Sequence, residues 1–171
     1  MARTFTVLLG ITLFSAMLAA QSGPRGPLEG AWKVAEVVVT GADASNTPNL
    51  QPGLFVFTRT HYSIMYVPGN QPRALFKAQD PTTQEKIAAF DSFIANTGTY
   101  EVTGNTFTIR PMVARFPNFM AGGFTKYQFR IDGNNLSLTE KSTDENMRFG
   151  QRVVPWSGPV SETRMRLVRV E

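Results

Sequence analysis

The chain has 171 residues, no cysteine, one histidine and a formal net charge of +4, with 42% hydrophobic and 18% charged residues. Without cysteine there is no disulfide, thiolate metal site, cysteine nucleophile or acylated lipoprotein cysteine. The basic excess is small and spread along the chain, which argues against a nucleic-acid partner, and the apolar content suffices for one domain with its own core.

Residues 1–20 (MARTFTVLLGITLFSAMLAA) carry an early positive charge at Arg3, an apolar run from Phe5 to Leu18 and small residues at the end. That layout is expected of a secretory signal peptide, cleaved after Ala20 or after Ser22. The run is shorter than the ~20 residues of a spanning helix, and Gly/Pro-rich residues 21–27 follow it in place of a basic stop-transfer segment. The expectation is therefore a secreted or periplasmic protein with no stable membrane insertion after leader removal. Residues 21–27 read as a linker and 28–171 as the folded domain.

Leu28–Thr40 is the first long strand, with Val37, Val38 and Val39 suited to a pleated, half-buried surface. Gly41–Gly53 is a polar loop; Leu54–Thr58 and His61–Val67 form strands two and three around Arg59-Thr60, and Pro68–Asp80 is irregular. Thr82 with Glu85 makes a capping box, so Thr83–Asn96 is expected to be a helix presenting Ile87, Phe90 and Ile94, stopped by Gly98. Thr99–Thr103 and Thr106–Met112 flank Gly104-Asn105, and Phe124–Ile131 and Leu136–Lys141 flank Gly133-Asn134-Asn135, both hairpin signals. Period-two alternation puts Thr125, Tyr127, Phe129 and Ile131 on one face and Lys126, Gln128 and Arg130 on the other. Ser142–Glu162 is a long insertion with two prolines, Phe149 and Trp156, before the closing strand Thr163–Val170. Eight antiparallel strands with no βαβ rhythm predict an all-β, up-and-down β-barrel with one packed helix, closure removing the edge strands.

Glu36 shares a strand face with Trp32, Val34 and Val38 and is the expected inward acid, a fixing point for a ligand together with Arg110 or Arg130; a bulge would instead turn it to solvent. Phe55, Phe57, Tyr62, Tyr66, Tyr100, Phe107, Tyr127 and Phe129 are the expected wall of a cavity or the filling of a solid core. His61 lacks neighbours spaced for a metal site and reads as a strand-edge residue. Asn135-Leu136-Ser137 matches a glycosylation sequon that falls inside a strand. No hydrolase elbow, zincin, phosphate loop or dinucleotide fingerprint occurs, so no catalytic residue, metal or cofactor is assigned.

Gly30-Ala31-Trp32, Pro52-Gly53-Leu54 leading into His61-Tyr62-Ser63-Ile64-Met65, Gly98-Thr99-Tyr100-Glu101-Val102, Pro117, Gly122 and the Gly133–Leu138 hairpin occur in that order. Together they resemble the lipocalin-like domains of bacterial proteins, a branch of the calycin barrels, over about Leu28 to Val170. The resemblance implies that Trp32 packs at the barrel floor against a last-strand arginine, Arg169 or, as second choice, Arg166. It also implies a small hydrophobic or amphipathic ligand in the barrel, and in such a barrel His61 is an alternative haem ligand. A monomer or weak dimer is expected, and Phe149 and Trp156, in an insertion that departs from the family pattern, are expected to form a lid across the mouth. Two other readings are an isomerase- or cyclase-type enzyme built on an inward acid such as Glu36, and a packed structural or partner-binding module.

Overall fold

The computed structural model describes residues 26–41, 44–47, 50–150 and 159–171. In chain order the strands are β1 (Gly30–Gly41), β2 (Ser45–Asn46), β3 (Gly53–Phe57), β4 (His61–Tyr66), β5 (Ile94–Thr103), β6 (Thr106–Ala114), β7 (Phe124–Asp132), β8 (Asn135–Lys141), β9 (Met147–Arg148) and β10 (Ser161–Arg169). Among the described residues two helices, α1 (Thr83–Asp91) and α2 (Pro117–Met120), sit in the connections. Eight long strands pair antiparallel in the order β1-β3-β4-β5-β6-β7-β8-β10, and β10 returns to pair with β1, so the barrel is closed. The two-residue strands β2 and β9 lie against β1 and β7.

The hairpins form where the turn chemistry puts them. Gly104 and Gly133 adopt φ of +60° and +55° in two-residue connections, a conformation that costs glycine nothing. These turns, the β3–β4 turn and both ends of the barrel sequence lie at one end, which we call the floor. The long connections, with both helices, leave from the opposite rim, the mouth.

The floor is solid. Trp32 is fully buried, and the Arg169 guanidinium lies 4.0 Å from its ring centre. The two residues are direct partners across the β1–β10 seam. Trp32 Nε1 donates to the Leu28 carbonyl at 2.7 Å, and Arg169 Nη1 donates to the Glu29 carbonyl at 2.7 Å, so the seam also holds the entering chain. Above them Phe57 meets Tyr100 and Phe107 edge-on at 5.3 and 5.5 Å, and Phe107 stacks on Tyr127 at 5.0 Å. Such pairs contribute about 0.5–1.5 kcal/mol each beyond the area they bury.

The expected helix is shortened. The Thr82–Glu85 capping box forms as read, but α1 ends at Asp91, and Ile94–Asn96 already belong to β5. Pairing of these residues with Tyr66, Met65 and Ile64 of β4 satisfies their backbone in the barrel ladder, which outweighs another helical turn. Ile87 and Phe90 are therefore about half exposed, and no residue of α1 is buried. Nor does Gly98 stop the helix. It lies within β5 at a bulge, where a Cβ would collide with the Arg110 carbonyl. The short α2, opened by Pro117, was not expected.

A second bulge sets the geometry of the site. Val34 pairs with Leu167 and Glu36 with Arg166, leaving Ala35 without a partner on β10. One extra residue reverses the alternation, so Trp32 and Val34 point inward before the bulge and Val37 and Val39 after it.

Replacing Arg169 by Met removes the guanidinium–indole contact and the hydrogen bond to Glu29, and is expected to cost about 1–3 kcal/mol in urea unfolding. Arg166→Met, at an exposed pair, is expected to change stability by less than about 0.5 kcal/mol.

Candidate functional site

Of the aromatic residues singled out in the sequence, Phe55, Phe57, Tyr62, Tyr100 and Phe107 are buried, and Tyr66, Tyr127 and Phe129 pack partly buried against them. The polar candidates turn the other way. Past the bulge Glu36 faces solvent, its side chain 54% exposed, and pairs with Arg166 at 3.2 Å. Arg166 is thereby committed to the outer surface and leaves Trp32 to Arg169. Arg110 and Arg130 are exposed as well, because each follows an inward residue, Ile109 or Phe129, and the pleat sends the next side chain out. His61 is exposed, with Nδ1 2.9 Å from Thr60 Oγ1, and no group of three possible metal ligands occurs among the described residues. Phe149 packs on Phe119 at 4.8 Å at the mouth, whereas Trp156 lies outside the described residues.

The mouth half of the barrel is hollow. A cavity of about 450 Å³ is walled by Val34, Val37 and Val39 of β1, Met165 of β10, and Leu50 and Tyr66. A second compartment of about 180 Å³ lies on its far side, against Asn96, Phe119, Tyr127 and Glu140. Tyr66, Thr163 and Met165 line both, so the two form adjoining rooms of one interior. The larger room is mostly apolar; the smaller combines apolar walls with a cluster of polar side chains.

Glu140 is the centre of that cluster. It is the last inward residue of β8 and only 8% exposed. Its cross-strand partner Thr163 hydrogen-bonds the carboxyl, while Oε1 is buried with no partner. Burial raises its pKa to about 7, since removing water disfavours the carboxylate more than the acid. Tyr66 and Tyr127 have pKa values raised first by burial and then by neighbouring charge, including that of Glu140. Arg115, just after β6, partly offsets this at Tyr66. Its guanidinium lies over the rings of Phe90 and Phe116 at 4.7 and 4.0 Å, and its Nη1 donates to the Phe90 carbonyl. Arg115 Nε and Asn96 Oδ1 are also buried without partners. Hydrogen-bond capacity left open in a low-dielectric cavity destabilises the fold unless water or a ligand fills it.

The inward acid is thus Glu140, not Glu36. The signal was present in the sequence: Leu136, Leu138 and Glu140 alternate, and Leu136 and Leu138 are buried. Carrying that period two residues further places Glu140 inside. Asn96 and Arg115 were hidden for another reason, since the first falls at the end of the expected helix and the second beyond the expected strand Thr106–Met112, in no predicted element.

The raised pKa of Glu140 has a definite stability signature. Between pH 4.5 and about 7 the folded protein retains a proton that the unfolded chain releases, so this group's contribution to stability falls as pH rises and levels off above pH 7. The fall in wild-type stability relative to Glu140→Gln is expected to be roughly 3 kcal/mol across that window. Urea unfolding of both proteins at pH 5 and pH 8 measures it.

Among the described residues no helix is long and apolar enough to cross a membrane. No curated protein matches the chain significantly. The sequence pattern of the lipocalin-like domain matches residues 29–157, which take in the strands from β1 to β9. With its closed eight-stranded antiparallel barrel, the chain belongs to the lipocalin-like domain family.

Proposed function

We propose that the protein binds a small hydrophobic or amphipathic molecule in the mouth half of its barrel. One observation carries the reading: a hollow of about 450 Å³ with aliphatic walls opens onto a smaller polar room in the same interior. Affinity comes from apolar area taken out of water, and orientation from the few polar groups at the far end. A barrel filled throughout by its own side chains does not account for that space, although it describes the floor half well.

The ligand replaces water against Val37, Val39, Leu50 and Met165. The bulge at Ala35 is what makes this wall aliphatic, because it brings Val37 and Val39 inside and puts Glu36 out. A second reading is favoured by Glu140 alone. A buried acid with a pKa of about 7 can both accept and return a proton, so an isomerase-type reaction would use Glu140 in the place first expected of Glu36.

The setting we infer is exported, secreted or periplasmic, as for a bacterial lipocalin-like protein. Support comes from the basic, apolar and small-residue order of residues 1–20. The mature protein is then expected to start at Gln21 or Gly23, and an intact mass that still includes Met1 counts against export.

The binding reading is tested with N-phenyl-1-naphthylamine, a neutral dye that brightens in apolar surroundings. Wild-type protein is expected to take it up with saturable, micromolar affinity. Val39→Trp, which fills the larger room without touching the Trp32–Arg169 floor, is expected to weaken uptake at least about tenfold. Equal uptake by the two proteins sinks the assignment of that room.

A further inference from the structure

Three buried polar atoms around the smaller room lack partners, and they are of opposite kinds. Glu140 Oε1 and Asn96 Oδ1 are acceptors, while Arg115 Nε is a donor. All three side chains line the same 180 Å³ compartment, together with the apolar Phe119, Phe149, Met147 and Met165. They come from different parts of the barrel: Asn96 from β5, Glu140 from β8 and Arg115 from the chain leaving β6. None belongs to the outer-surface ion pairs.

We propose that this compartment is a head-group subsite for an uncharged polar group bearing both an N–H or O–H donor and a carbonyl acceptor, as a carboxamide does, on an apolar body that extends into the larger room. The proposal rests on the ligand-binding reading above and adds the chemistry of the head. The donor of the head meets Glu140 Oε1 and Asn96 Oδ1, and its carbonyl meets Arg115 Nε.

The charges in the compartment disfavour the alternatives. At pH 8, where the Glu140 carboxyl is ionised, a carboxylate head would pair with Arg115 but would sit against that negative charge. An ammonium head would pair with Glu140 but would sit against the Arg115 guanidinium. In a buried space each like-charge contact is costly, whereas a neutral head with two-way hydrogen bonding satisfies both ends. The other titratable groups facing Glu140 are Tyr66 on β4 and Tyr127 on β7, phenols whose pKa values are raised by burial and which therefore stay neutral. Size permits it, because 180 Å³ is the share of about six water molecules, enough for a carboxamide and the first carbons of its tail. The tail passes Tyr66, Thr163 and Met165, the residues common to both rooms.

Competition against N-phenyl-1-naphthylamine at pH 8, with octanamide, methyl octanoate, octanoate and octylamine as a matched series, tests the head chemistry. Octanamide is expected to displace the dye at roughly tenfold lower concentration than the ester, the carboxylate or the amine. Glu140→Gln keeps a carbonyl acceptor and is expected to retain the preference for amide over ester, while Glu140→Leu and Asn96→Leu reduce it to less than about twofold. Equal displacement by amide and ester in wild type overturns the proposal, and that series decides even if a leucine variant fails to fold. A preference unchanged in both leucine variants overturns it as well, leaving ordered water as the partner of these atoms. Absence of dye uptake by wild type overturns the ligand-binding reading itself, and this proposal with it.

Discussion

Everything in this barrel depends on β1 finding β10. The seam joins residues as far as 140 positions apart, and without it two long strands would present unpaired backbone to solvent. Trp32 and Arg169 stand opposite one another at the start of that seam, and the contact does several things at once. The indole fills the floor, the guanidinium covers it, and the hydrogen bonds from both residues hold the Leu28–Glu29 segment beneath. Closure also lets the two ends of the molecule differ. Tight hairpins at the floor leave no slack, and the aromatic ladder of Phe57, Tyr100 and Phe107 fills the narrow space they enclose.

The mouth works on opposite terms. Its connections are long, α1 buries none of its residues, and exposed apolar side chains such as Leu75 and Phe76 occur there. A rim of this kind adds little to stability and leaves room inside. The polar groups within that room set it apart from the floor, since a core packed for stability alone would not hold a carboxyl and an amide oxygen short of partners. The energy lost at Glu140 and Asn96 is tolerable because the floor is well packed.

Much of this was legible in the residues. The Gly-Asn turns, the alternation in β7 and the Thr82–Glu85 box each correspond to one local interaction, and each appears where the pattern put it. The misreadings arose where a distant partner overrode a local rule. Ile94 continues the helical stripe of Ile87 and Phe90, yet the edge of β4 offered it a ladder that the helix had no means to match. Glu36 obeys the alternation of Trp32 and Val34, and only the register of β10, more than a hundred residues away, shows that the count restarts after Ala35. Arg110 and Arg130 were different: the same period-two rule that follows from an inward Phe107 and Phe129 already sends them out. So too with Glu140, where the rule was sound and needed only to be followed to the end of the strand.

The unpaired Ala35 acts as a phase switch for the whole first strand. A strand of twelve residues has two possible linings, and the position of one surplus residue decides which set of side chains from Glu36 onward the interior sees. In the observed phase the wall is Val37 and Val39; in the other it would be Glu36 and Val38, and the same amino acids would enclose an acidic chamber. The chemical character of this barrel's interior is therefore written less in its composition than in the parity of a single backbone count, and a change of one residue in length there alters the lining more deeply than most substitutions.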